Sequence, residues 1–166
     1  MKSAASPANE PERLEHVRAL GLFDTAPEER FDVITREAVQ AFHVPIATIT
    51  LLDEKREWYK SCQGLNAKEA PREISFCAHA MLSDHVFIVE DTLKDPRFAD
   101  NPMVVGEPHI RFYAGVSLYD SSGTGIGVFC IKDTKPRSLS PHEVTLLLVF
   151  AARASEELNK DQKKSK

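Results

Sequence analysis

Two cysteines, Cys77 and Cys130, and two arginines, Arg97 and Arg111, are the side chains of this 166-residue chain best suited to chemistry. Thiols that face one pocket can cycle between dithiol and disulfide, although a buried free cysteine ordinarily acts as a small hydrophobe. Guanidinium groups hold carboxylate or phosphate through paired hydrogen bonds, so Arg97 and Arg111 can form the floor and lid of an anion site. Acids at Asp91, Asp95 and Asp100 offer them internal partners, and that pairing would pin a connection instead of binding a ligand. Cys62 makes the cysteine count odd and without metal-site spacing, and the six histidines, His16, His43, His79, His85, His109 and His142, are scattered. Gly123-Thr124-Gly125-Ile126-Gly127 sits between two strand-like segments with no helix start behind it, which makes it a turn and not a phosphate loop. Neither a nucleophile elbow nor a zincin motif occurs.

The elements that must position these groups follow from periodicity and turn chemistry. Residues 1–9 are polar and Pro-interrupted and predict a flexible tail. Leu14, Val17 and Leu20 at helical spacing predict a helix stopped by Gly21. Asp24 to Glu28 combines a capping residue, a first-turn proline and acids, and predicts a second helix carrying Phe31, Ile34, Ala38, Val39 and Phe42, which Pro45 ends. The β-branched run 46–52 and the alternating run 57–62 predict a hairpin around the charged cluster 53–56. Residues 64–72 read as a loop, Ser75 as the cap of a short helix, and 86–89 as a short strand. Alternation over 111–119, a Gly/Ser turn and the apolar run 126–133 predict a second hairpin, its return strand central in the sheet. Ser140-Pro141-His142-Glu143 starts a last helix running to about residue 159, before a Lys-rich tail over 160–166. Between the strands lies the long Pro-, Arg- and aromatic-rich stretch 95–110, whose apolar Phe98, Met103, Val104, Val105 and Ile110 need a surface, so it reads as an ordered flap with Asp95 capping a short turn.

The sum is one α+β domain over 10–159: an antiparallel sheet of five or six strands, with helices from both chain ends on one face. The last helix carries apolar groups on more than one stripe (Val144, Leu147, Leu148 and Ala151; Leu146, Val149 and Phe150), so its surplus must meet the first helix, a second copy of the chain, or both. A net charge of −4 leaves no electrostatic footprint for nucleic acid or an anionic membrane. The longest apolar run, 146–152, is far short of a membrane span. With no secretory leader in view, reduced thiols and a cytoplasmic location are expected.

These segments together resemble a GAF domain, of the kind found near the front of bacterial sensor kinases and diguanylate cyclases. The residues that carry the resemblance are Phe31-Asp32-Val33-Ile34-Thr35, Trp58-Tyr59-Lys60-Ser61 with Gly64-Leu65, and Arg72-Glu73-Ile74-Ser75-Phe76-Cys77-Ala78-His79. They continue through Asp95-Pro96-Arg97-Phe98, Asn101-Pro102, Ile110-Arg111-Phe112-Tyr113-Ala114-Gly115, Gly127-Val128-Phe129-Cys130-Ile131 and Pro136-Arg137. The resemblance implies terminal helices that dimerise on one side of the sheet and a ligand pocket on the other, roofed by the segments around 75–82 and 95–110. Its expected frame is Phe76, Cys77, Asp91, Arg97, Phe98, Arg111, Tyr113 and Cys130, mostly apolar.

Such pockets take cyclic nucleotides, tetrapyrroles or small metabolites in relatives, so the cofactor is unassigned and the partner expected is an unidentified small molecule. The chain ends soon after its last helix, which implies a stand-alone sensor or regulatory subunit, non-catalytic, working as a homodimer on a signalling protein in trans. One alternative is a redox enzyme resembling free methionine-(R)-sulfoxide reductase. Against it, Ala67 stands where that family's upstream resolving cysteine belongs, and no cysteine lies between Cys77 and Cys130. A phytochrome-like thioether requires cysteine beside histidine, whereas Ala78 separates Cys77 from His79. The cyclic-nucleotide signature of phosphodiesterase GAF domains is missing. A ligand-free protein-interaction module is the third reading.

Overall fold

The computed structural model describes the backbone of residues 1–164 and the side chains of residues 1–160. Helices α1 (Glu10–Ala19) and α2 (Glu29–Phe42) precede the first hairpin, β1 (Ile46–Leu52) and β2 (Arg56–Gln63). A short strand β3 (Glu69–Pro71), helix α3 (Phe76–Ala80) and strand β4 (Phe87–Val89) follow. Helix α4 (Pro102–Val105), the hairpin of β5 (Phe112–Tyr119) and β6 (Gly125–Asp133), and helix α5 (Pro141–Lys164) complete the chain. The strands form one sheet of order β3-β2-β1-β6-β5-β4, antiparallel at every pairing. The expected α+β architecture is therefore observed, with the sheet at its six-stranded limit.

Strand alternation divides the core in two. On the helix face, Ala47, Ile49, Leu51, Trp58, Phe112, Ala114, Phe129 and Ile131 meet Phe31, Ile34 and Phe42 of α2 and Leu147, Phe150 and Ala154 of α5. On the opposite face, Ile46, Leu52, Tyr113, Val128 and Cys130 meet Phe76 and Cys77 of α3 and Phe98, Val104 and Ile110 of the 90–111 connection. The central strand β1 is buried along its whole length because both faces are covered.

Local chemistry accounts for most boundaries. Gly21, at φ +67°, ends α1. The α5 capping box closes as predicted: the Ser140 hydroxyl accepts from Glu143 N at 3.1 Å, and the Glu143 carboxylate accepts from Ser140 N at 3.0 Å. Ser75 Oγ accepts from Ala78 N at 3.0 Å to start α3.

Four expectations are corrected. Asp24 is not a helix cap: at φ +62° it turns outward to pair with Arg56 at 2.8 Å, and α2 begins beyond Pro27. The segment 64–72 contains β3, too short to show a period, which exists because it pairs with Arg56, Glu57 and Trp58. Helix α5 continues past Asn159 to Lys164. Residues 1–9 do not stand apart: Lys2 N donates to Arg97 O at 3.1 Å, His79 Nε2 donates to Lys2 O at 2.8 Å, and Ser3 Oγ donates to Glu73 O at 2.7 Å, so this segment lies over α3 and the connection.

Candidate functional site

The floor of the candidate site is the sheet face that α1, α2 and α5 leave uncovered. Pairing of Thr48 with Cys130 and Cys62, and of Thr50 with Val128 and Tyr59, sets these residues side by side. Glu57 lies opposite Leu52, and Lys132 opposite both Ile46 and Tyr113. The roof is α3 and the connection. Asn101 holds the roof by capping α4 through Met103 N at 2.9 Å while its amide donates to Ile74 O at 3.0 Å. Thr92 closes the two ends of the connection on each other, its hydroxyl donating to Ile110 O at 2.7 Å just ahead of β5.

The space between is closed by rings. Phe76 stacks on Phe98 at 4.3 Å between centroids and on Tyr113 at 5.2 Å, all three fully buried or nearly so. The Tyr113 hydroxyl donates to Cys77 Sγ at 3.2 Å. Cys77 Sγ stands 3.9 Å from Cys130 Sγ, which also meets Thr48 Oγ1 at 3.0 Å. Thr48 and Thr50 hydroxyls are 2.7 Å apart.

Phe76, Cys77, Phe98, Tyr113 and Cys130 thus converge in one interior. Asp91, Arg97 and Arg111 lie outside it. Arg111 pairs with Asp91 at 3.1 Å, and Arg97 with Asp95 at 2.7 Å while its guanidinium stacks on Phe87 and Phe98. Both arginines pin the connection, as their neighbouring acids allowed, and Arg97 is 41% exposed. The outer flank of that connection bears a surface concavity of about 430 Å³ lined by Glu90, Asp91, Lys94 and Arg97.

The interior is also more polar than expected. Glu57 and Lys132 are fully buried, and neither Glu57 carboxylate oxygen nor Lys132 Nζ has a hydrogen-bond partner. The Lys132 ammonium lies 5.9 Å from the Tyr113 ring centroid. Burial would lower the Lys132 pKa, but the acidic groups around it, Cys130, Glu57, Tyr59 and Cys77, carry it well above its ordinary value. Burial pushes the Cys77 and Tyr113 groups up. Burial also opposes ionisation of Cys130, yet the hydrogen bond from Cys77, the Lys132 charge and the Thr48 hydroxyl outweigh it and bring Cys130 down to about 7.

Sequence reasoning missed Glu57, Lys132, Thr48 and Thr50; alternation carried a signal for the two threonines and for the face Lys132 shares with Cys130, but none for the burial of the two charged groups. Thr48 and Thr50 sit between Ile46 and Leu52 on one face of β1, and Lys132 follows Cys130 by two. Among the described residues, no group of three or more His, Cys, Asp and Glu is placed to hold a metal ion, and no helix is long and apolar enough to cross a membrane.

A helix-backed six-stranded sheet with a roofed opposite face is the GAF architecture, and the sequence profile of the GAF domain family matches residues 26–158. The chain belongs to the GAF family. It is 42% identical over 152 residues to a cyclic di-GMP phosphodiesterase of Pseudomonas aeruginosa, covering 91% of this chain and 26% of that protein, so the chain spans about a quarter of its relative. Among solved structures it is similar to the GAF domain of an Acinetobacter phosphoenolpyruvate-protein phosphotransferase, with a TM-score of 0.63 and 17% identity over 89% of this chain and 92% of that one. It is also similar to a free methionine-R-sulfoxide reductase of Neisseria meningitidis in complex with its substrate, with a TM-score of 0.65 and 17% identity over 98% and 99%. At that identity the structural likenesses establish the fold alone.

Proposed function

We propose that this GAF domain is a non-catalytic regulatory module that senses a small polar molecule between the sheet and its roof. It acts as a cytoplasmic homodimer and passes its state to a signalling partner. The observation that carries the reading is the pair Glu57 and Lys132, two fully buried charged groups without hydrogen-bond partners. A buried polar or ionic group left without hydrogen bonds costs several kcal/mol even where opposite charge lies near, and a fold that retains two of them between sheet and roof gains when a ligand supplies the missing bonds. A molecule bearing an anionic group for Lys132 and a cationic or donor group for Glu57 meets that need.

Entry requires the Phe76 and Phe98 rings to separate, so the ligand favours an open roof through its higher affinity for that arrangement. The 42%-identical relative, a cyclic di-GMP phosphodiesterase, supports a place in signalling. Leu148 and Val149, about half exposed on α5, support pairing with a second copy along that helix.

The test is native mass spectrometry of purified protein, joined to a thermal-shift screen of small zwitterions, carboxylates and amines. The reading expects a dimer and a stabilising response that Lys132→Met and Glu57→Gln each remove. A monomer with no co-purified molecule and no response to any probe would refute it.

A further inference from the structure

We infer that Cys77 and Cys130 form a dithiol centre that a hydroperoxide converts to an intramolecular disulfide, joining the roof helix α3 to the central strand β6. The inference rests on sulfur geometry and stands whether or not the interior takes a ligand. The two sulfurs are 3.9 Å apart in a fully buried site, and a disulfide bond needs about 2 Å, a gap that a rotamer change and a small approach of α3 can close. Strand β6 is held on both sides by β1 and β5, whereas α3 is a helix of five residues, so the movement falls to α3.

The hydrogen bonds assign the two roles. Tyr113 O–H donates to Cys77 Sγ, and Cys77 S–H in turn donates to Cys130 Sγ. Cys130 is the end of this relay. Thr48 Oγ1, 3.0 Å away, can donate to it as well, and Lys132 follows two residues later on the same face of β6. The charged and titratable groups around Cys130 are Glu57, Tyr59 and Cys62 on β2, Cys77 on α3, Tyr113 on β5 and Lys132 on its own strand. The positive charge and donors prevail over Glu57, so the Cys130 thiolate is the nucleophile and Cys77 the resolving thiol.

The chemistry balances. Cys130 thiolate attacks one peroxide oxygen, an S–O bond forms, the O–O bond breaks, and hydroxide leaves to take up the proton that Cys130 had released. Cys77 then attacks the sulfenic sulfur; the S–S bond forms, the S–O bond breaks, and hydroxide departs with the Cys77 proton as a second water. Two thiols are oxidised and one hydroperoxide is reduced. Cys62 takes no part: burial raises its thiol to about 11, and its sulfur faces Leu65 O.

The experiment treats the reduced full chain with hydrogen peroxide, denatures it, and labels the remaining thiols with N-ethylmaleimide for intact and peptide mass analysis. The expected product is lighter by two hydrogens, takes one label at Cys62, and yields a cross-linked peptide containing Cys77 and Cys130. In Cys77→Ser the reaction should stop at a sulfenic acid on Cys130, captured by dimedone. In Cys130→Ser the peroxide rate should fall about tenfold or more. The wild-type rate should rise as pH passes through about 7. Labelling of all three cysteines after peroxide treatment, or oxidation seen only once urea has unfolded the chain, would overturn the inference. So would a Cys62 adduct formed ahead of the disulfide.

Discussion

Tyr113 reaches Cys77 only because Gly115, two residues along the same strand face, has no side chain. A Cβ at Gly115 would lie 2.4 Å from the Tyr113 hydroxyl oxygen and 2.9 Å from the ring carbon that bears it, and the ring has no free volume to retreat into because it is fully buried against Phe76. The strand glycine thus creates the slot through which a floor residue contacts the roof.

Gly115→Ala should therefore destabilise the domain by about 1–3 kcal/mol, the usual cost of overpacking a filled core. Tyr113→Phe should cost about 1 kcal/mol or less, since it removes one hydrogen bond to a thiol and keeps the ring. Urea unfolding of both variants, read by tryptophan fluorescence from Trp58, checks the order.

Acid should weaken the contact between α1 and the segment that leads into α3, where Glu10 pairs with Arg72. Burial would raise the Glu10 carboxyl, but hydrogen bonds from Arg13 and Arg72 and their charges carry it down to about 2. A folded pKa below the unfolded value stabilises above about 4.5, and that contribution is lost as pH falls toward 2. Glu10→Gln should lower stability at pH 7 by on the order of 2 kcal/mol and flatten the stability profile between pH 4.5 and 2, measured by denaturation across pH.

The connection over the site should depend on Asn101 more than on its arginines. Asn101→Ala removes the α4 cap and the bond to Ile74 O together, for an expected loss of about 1–2 kcal/mol. Arg97→Ala should cost less, because its pair with Asp95 is partly exposed and such pairs contribute about 0–1 kcal/mol. Thermal melts of the two variants side by side decide the ranking.

The exposed α5 positions give a test of assembly. Leu148→Glu with Val149→Glu should convert a dimer to a monomer in sedimentation velocity, while the helix-face core, which uses Leu147, Phe150 and Ala154 instead, stays intact by circular dichroism. An unchanged dimer in that variant would place the contact elsewhere.

Much of the fold was legible because local and tertiary preferences agree. The Ser140–Glu143 box, the Ser75 cap and both long hairpins form from neighbouring residues, so their signals survive in a single sequence. What escaped depends on distant partners. Asp24 has the composition of a cap but is captured by Arg56, β3 exists only through β2, and the N-terminal residues are held by Arg97, His79 and Glu73. For the site, the apolar and sulfur members were readable from motif and alternation. Glu57 and Lys132 were not, because charged residues at strand ends ordinarily face water and here face the core.

Glu57 and Lys132 are buried without hydrogen-bond partners, and the double variant Lys132→Met with Glu57→Leu tests whether a ligand supplies those bonds, because it leaves neither charge alone in the interior. Exchanging both buried groups without hydrogen bonds for apolar side chains should raise the melting temperature of the ligand-free protein, by an amount equivalent to about 1–3 kcal/mol, and abolish any ligand-induced shift. A variant that melts lower than the wild type and still responds to every probe would contradict the account. It would mean that the two groups serve the fold itself and not a bound molecule.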